Sequence, residues 1–174
     1  MNTSPSNPPS DAITSSESTV PVSTIPRPSG MARFIVLAVS LVLFALACAS
    51  PTLIFLRNGT SDETWVGYMV LLLGWLGPFI GQFAWYANPL LFVSMITFVV
   101  RQWVATIVLI ALTLLMAANT FLLFFQEVPA DEAGVNMLTL QNLHIGFYLW
   151  IASILTIGIG AIILWRLEAR ERSG

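Results

Sequence analysis

WVGYMVLLLGWLGPFIGQFAWYANPLLFVSMITFVV, residues 65–100, is the stretch that decides how this chain folds. It carries no charge over 36 residues. As one straight helix it would be about 54 Å long, against a hydrocarbon core of about 30 Å. Tilt does not absorb that excess, so the segment must break. Gly74, Gly77, Pro78, Gly81 and the pair Asn88-Pro89 supply the places. Two placements compete. In one, Trp65 to Ala87 crosses a membrane and residues 89–100 lie along its inner surface. In the other, Trp65 to Gly77 is a short dip, and Phe79 to Val100 crosses with a kink before Pro89. A helix lying in the interface needs a charged or strongly polar face. Residues 90–100 offer only Ser94 and Thr97. The second placement is therefore preferred, and residues 65–77 and 89–100 remain the two candidates for the part outside the span.

Three further apolar runs flank this segment. Phe34 to Leu56, bracketed by Arg33 and Arg57, is long enough to cross. Its small residues around Cys48 also suit a lipoprotein or ordinary signal cleavage. Against that, the run continues past Cys48 to Leu56, and Leu46 sits one place off the usual lipobox position. Trp103 to Phe125 is a clear crossing, and only Arg101-Gln102 separates it from the preceding run. Ile145 to Trp165 is the last. The segments 58–64 and 126–143 read as polar loops. Residues 1–30, rich in Ser, Thr and Pro, cannot bury enough apolar surface to offset the entropy of ordering, and read as a disordered tail. Met31 is a second candidate start of translation.

These runs predict an all-α fold: a membrane bundle of four transmembrane helices over residues 31–174, with a broken second segment. Composition agrees. Of 174 residues, 56% are hydrophobic and 9% charged, with mean hydropathy +0.82. A chain with so little charge needs lipid as its solvent. A net charge of −2 gives no attraction for nucleic acid. Orientation follows from arginine, since the chain has no lysine. Arg27, Arg33, Arg101, Arg166, Arg170 and Arg172 fall on the side of the termini, and Arg57 alone on the other. The positive-inside rule predicts that both termini face the cytoplasm.

Few groups carry chemistry. Cys48 is the only cysteine and His144 the only histidine. His144 beside Asp131 and Glu132 makes at best a weak metal site, and a surface histidine is the plainer expectation. No nucleophile–histidine–acid set, phosphate loop or paired carboxylates appear. The expectation is therefore no catalytic residue, no metal and no cofactor. Gln82, Asn88 and Asn119 are the only amides within the apolar runs. Facing lipid they would cost several kcal/mol, so they should turn inward. Mutual hydrogen bonding, with Tyr86 as a further partner, is the plain expectation; a small polar site for a neutral ligand is the sharper one. Gly77 and Gly81 are four apart, extended by Gly74 and Ala84, a spacing that lets helix backbones pack closely in lipid.

Gly74-Trp75-Leu76-Gly77 followed by Gln82-Phe83-Ala84-Trp85-Tyr86-Ala87-Asn88-Pro89-Leu90-Leu91 is one distinctive stretch, and Gly146-Phe147-Tyr148-Leu149-Trp150-Ile151-Ala152-Ser153 another. Together they resemble a group of small, uncharacterised four-helix inner-membrane proteins of bacteria. The resemblance runs from about residue 34 onward and implies fold and location but no mechanism. The expected role is a non-enzymatic membrane protein, an accessory, assembly or immunity-type subunit that acts by binding a membrane-protein partner or itself. The alternative is a small channel or transporter for a neutral solute.

Overall fold

The computed structural model describes Met1, residues 28–130 and residues 135–173. Most of the tail read for residues 1–30 lies outside the described residues, as do Asp131 and Glu132. Among these residues five α-helices and four strands follow in chain order: α1 (Pro28–Ala49), β1 (Pro51–Arg57), β2 (Ser61–Val66), α2 (Gly67–Leu73), α3 (Ala87–Val99), α4 (Trp103–Ala118), β3 (Glu127–Pro129), β4 (Met137–Leu143) and α5 (Ile145–Ser173). Short 3-10 turns occupy Gly74–Ile80 and Ala84–Tyr86 between α2 and α3, and Asn119–Phe125 after α4.

The all-α bundle of four transmembrane helices is thereby corrected to a mixed α/β fold. Three helices are long and apolar enough to cross a membrane: Gly30–Ala49, Trp103–Phe125 and Ile145–Glu171. The segment 65–100 yields two shorter apolar helical stretches, Gly67–Ile80 and Ala84–Val99. The break falls at Gly81-Gln82-Phe83, where Gly81 takes a left-handed φ of 76°. Asn88-Pro89 lies inside the first turn of α3, where a proline's missing N–H costs nothing.

The sheet comes from two stretches the hydropathy had assigned otherwise. Pro51 stops α1, because a proline disfavours helical geometry at the residue before it. Thr52–Arg57 then runs as a strand instead of completing the crossing. Asn58 and Gly59 both adopt positive φ, 50° and 70°, and turn β1 back into β2. Asn-Gly between β-forming runs is a strong hairpin signal. The loop after Phe125 supplies β3 and β4. All pairs are antiparallel, in the order β2-β1-β4-β3. Asn58 ties the hairpin to β4: its Oδ1 accepts from the Met137 amide at 2.9 Å, and its own amide donates to the Met137 carbonyl at 2.9 Å.

Two apolar cores result. α1 packs along α5, α3 against α4, and α4 against α5. Their seam holds Leu91, Phe98, Ile154 and Ile157, all fully buried. The helix spacing 87, 91, 95, 98 places one stripe of α3 inside. The second core is one face of the sheet, Leu53, Phe55, Leu138 and Leu140, against Val70 and Leu123.

The two ends of the molecule differ. At one end sits the sheet. At the other, Arg33 of α1 donates to the Val99 carbonyl at the end of α3, and Trp103 Nε1 donates to Glu168 Oε2 of α5 at 3.0 Å. Arg101 makes the turn between α3 and α4 with φ 64°. The Gln102 amide donates to Thr97 O and the Arg101 amide to Phe98 O, which is a Schellman cap with arginine in the position glycine usually takes. Glu168 Oε1 lies 3.7 Å from Arg101 Nε.

Candidate functional site

The β1 entry corner, Ser50-Pro51-Thr52, threads between two glycines. Gly67 opens α2 and Gly146 lies in the first turn of α5. A methyl at Gly67 would strike the Ala47 carbonyl, with Cys48 Cα 2.8 Å away. A methyl at Gly146 would strike Thr52 Oγ1, with the Pro51 carbonyl at 2.8 Å. The corner is further held by Gly67 N–H donating to Ser50 O at 3.0 Å and His144 N–H donating to Thr52 O at 2.9 Å. These contacts hold the sheet over the helix ends and leave a cavity of about 500 Å³ between them. That lies within the range of about 300–1,000 Å³ usual for small-molecule sites.

Phe44 of α1, Phe55 and Trp65 of the sheet, Val70 of α2, Trp85 and Phe147 are among its walls. None of its lining residues is charged. Its polar groups are few: Thr52, Thr120, Cys48, Gln82, Asn88 and the Trp indoles. Toward the arginine end the space between α3 and α5 is filled by the fully buried core described above.

Of the four candidate polar residues, the structure brings Gln82 and Asn88 to this cavity, 7% and 8% exposed. They are not bonded to each other. Asn88 Oδ1 accepts from Trp150 Nε1 at 3.0 Å. Gln82 Nε2 donates to Gln126 Oε1, and Gln82 Oε1 has no donor among the described residues. Asn119 stands behind the wall: its Oδ1 accepts from the Phe83 amide at 2.7 Å and pins the break between the two short helical stretches. Tyr86 is half-exposed, with its ring edge-on to Trp85. An unpaired buried carbonyl costs about 1–3 kcal/mol. Gln82→Met is therefore expected to raise stability by about 1 kcal/mol. Unfolding by SDS titration in micelles checks this; an equal or lower midpoint would mean that the Gln126 bond outweighs the orphan oxygen.

The small residues act within their own segment. A methyl at Gly74 would lie 2.6 Å from Trp85 Cδ1, and one at Gly77 would strike the Gln82 carbonyl, so both permit the chain to fold back on itself. Gly81 has open space and is needed for its backbone angle. Ala84 lines the cavity. Close helix–helix approach occurs instead at Gly158 against Ile110 and Gly160 against Val36. Sequence reading missed Gln126, Trp150, Gly67 and Gly146. A lone glycine at the mouth of an apolar run is too common a feature to mark a site. Gln126 falls in the stretch that reads as a polar loop. Among the described residues no cluster of three or more His, Cys, Asp or Glu could hold a metal.

Comparison with protein-family models, with curated proteins and with solved structures returned no match.

Proposed function

We propose that this chain is a non-enzymatic, multi-pass protein of the bacterial inner membrane that acts by binding, with the sheet-capped cavity as its site. The observation that carries this is the uncharged, carbon-walled cavity with one buried amide left unsatisfied, held open by backbone contacts at Gly67 and Gly146. A role as an accessory, assembly or immunity-type subunit follows from such a site: occupancy of the cavity would report to whatever meets the sheet. Gln82 and Asn88 sharing the cavity would also suit passage of a neutral solute, but the close-packed layer of Leu91, Ile154 and Ile157 beyond them supports a closed pocket better than a pore.

The test is native mass spectrometry of the protein released from a mild detergent. The expected result is a stoichiometric bound species, protein or small molecule, that is lost in Ala84→Phe, which fills the cavity. A bare monomer, identical in wild type and Ala84→Phe, would overturn this function.

The proposed orientation has both termini in the cytoplasm and the sheet outside. It is supported by the described arginines, among which Arg33, Arg101, Arg166 and Arg170 gather at the end opposite the sheet and Arg57 alone sits on it. In a Cys48→Ser background, a cysteine at Thr60 is expected to react with an impermeant maleimide in intact spheroplasts. One at Glu171 is expected to react only after lysis. The reverse pattern would invert the orientation.

A further inference from the structure

We infer that the groove between the start of α4 and the last turns of α5 holds one anionic phospholipid, with its phosphate on Arg101 and a chain along Val104 and Val108. The inference rests on the membrane placement proposed above, with the arginine end inside. It adds a ligand at a site separate from the sheet-capped cavity.

Arg101 is the observation that points there. Its φ of 64° is a left-handed conformation that disfavours any residue with a Cβ and suits glycine. The Schellman cap uses only the backbone of this position. The ion pair with Glu168 does not account for an arginine either. It spans 3.7 Å from Nε, and the arginine side chain is 42% exposed. A solvent-facing pair of that length contributes little. What glycine would forfeit here is a guanidinium that lines the groove. Backbone strain held at such a position points to a use for the side chain.

The groove has the two-part character of a lipid. At its polar end stand Arg101, Gln102 and Glu168, whose Oε2 accepts from the Trp103 indole. At its apolar end Val104 and Val108, neighbours one turn apart on α4, are 65% and 53% exposed, and Trp165 of α5 joins them. Both valines belong to the span Trp103–Phe125, so what lies against them is an acyl chain. Trp103 and Trp165 stand beside the charged end, as aromatic side chains do at head-group depth.

Arg101 decides which lipid. A guanidinium carries five N–H donors in a planar fork that matches phosphate oxygens, so it can meet Glu168 at Nε and a phosphate together. The surroundings select net charge. Among the described residues this end carries four arginines, Arg33, Arg101, Arg166 and Arg170, against two carboxylates, Glu168 and Glu171. That positive surplus favours a head group that is an anion over one that brings its own cation.

The probes are dioleoyl phosphatidylglycerol and dioleoyl phosphatidylcholine, titrated against the full chain in uncharged micelles and read as one-to-one adducts by native mass spectrometry. The phosphatidylglycerol is expected to bind about fivefold more tightly, the contribution of one arginine at an anionic surface. Arg101→Gly should bring the two lipids level. It should leave the SDS-unfolding midpoint equal or higher, because it relieves the left-handed φ. Arg166→Gln removes an exposed arginine outside the groove, and should change the preference by less than about twofold. Val108→Trp, which fills the apolar end, should remove both adducts. Excess inorganic phosphate should leave the adducts in place; displacement would show a free-phosphate site and overturn the lipid. Equal losses in Arg101→Gly and Arg166→Gln would show diffuse surface charge and overturn the site. A lower midpoint in Arg101→Gly would make the arginine a structural residue and overturn its role on the head group. Adducts indifferent to Arg101→Gly and Val108→Trp, or none at all, would overturn the lipid. Ala84→Phe should leave these adducts unchanged, and orientation is read from labelling at Glu171, so failure here is distinguishable from failure of the proposed function.

Discussion

Gly67→Ala is expected to lower the stability of the folded protein by about 3 kcal/mol, and Gly146→Ala by a similar amount. A single methyl has so large an effect because of what it meets. At Gly67 the obstacles are the backbone of Ala47 and Cys48; at Gly146 they are Thr52 Oγ1 and the backbone carbonyls of Ser50 and Pro51. Flexible side chains can swing aside, but backbone at a corner cannot. The Ser50-Pro51 corner is hydrogen-bonded on both sides, to Gly67 and through Thr52 to His144. Displacing it lifts the sheet off the helix ends and deforms the cavity, which both glycines line. Gly59→Ala is the control. It has open space around it but a φ of 70°, so it should cost only about 1 kcal/mol. The check is the midpoint of SDS unfolding for the three variants. If Gly67→Ala and Gly146→Ala fall no further than Gly59→Ala, the corner is softer than its contacts imply.

The second large effect concerns Asn88 and Trp150. Asn88→Leu should cost about 2 kcal/mol, because the partly buried indole N–H loses its acceptor. Trp150→Phe should cost at least as much, since it leaves the Asn88 carbonyl unpaired and also removes part of the cavity wall. The double variant leaves neither orphan. It should therefore be less destabilised than the sum of the singles by about 1–2 kcal/mol. Strict additivity in the cycle would show that the 3.0 Å bond contributes nothing.

Much of this molecule was legible without coordinates, for one physical reason. A run of about 20 apolar residues has a single solution in lipid, because a helix alone satisfies all its backbone groups within one segment. Trp103–Phe125 was recognised with the bounds of the span, and Ile145–Trp165 as the greater part of its own. The need for a break in residues 65–100 followed from length alone. Its place did not. Gly81 was one of several possible break points, beside Gly74, Gly77, Pro78 and Asn88-Pro89, and only the hydrogen bond from Phe83 N–H to Asn119, far along the chain, shows why the turn falls there.

The strands were less legible because hydropathy is blind to them. Thr52–Leu56 is as apolar as the helix before it, so averaging over the run absorbed it into a crossing. The local signals, Pro51 and Asn58-Gly59, were present but carry weight only if a partner strand exists. The hairpin partner, β2, begins with the polar run Ser61-Asp62-Glu63-Thr64, and the other neighbour, β4, lies more than eighty residues away; both stretches are polar enough to read as loop. The cavity likewise belongs to no single segment: its walls come from α1, the sheet, α2, the break and α5. Of the four crossings that the sequence by itself predicted, three are helices of membrane-crossing length and apolarity, and arginine crowds one end, since length, hydrophobicity and charge are properties of single segments. Tertiary structure alone decided that a sheet caps the opposite end, that Gln82 keeps an unpaired oxygen there, and that two glycines hold the space open. Those are properties of pairs of residues distant in the chain, and pairing energy is not written in any one of its members.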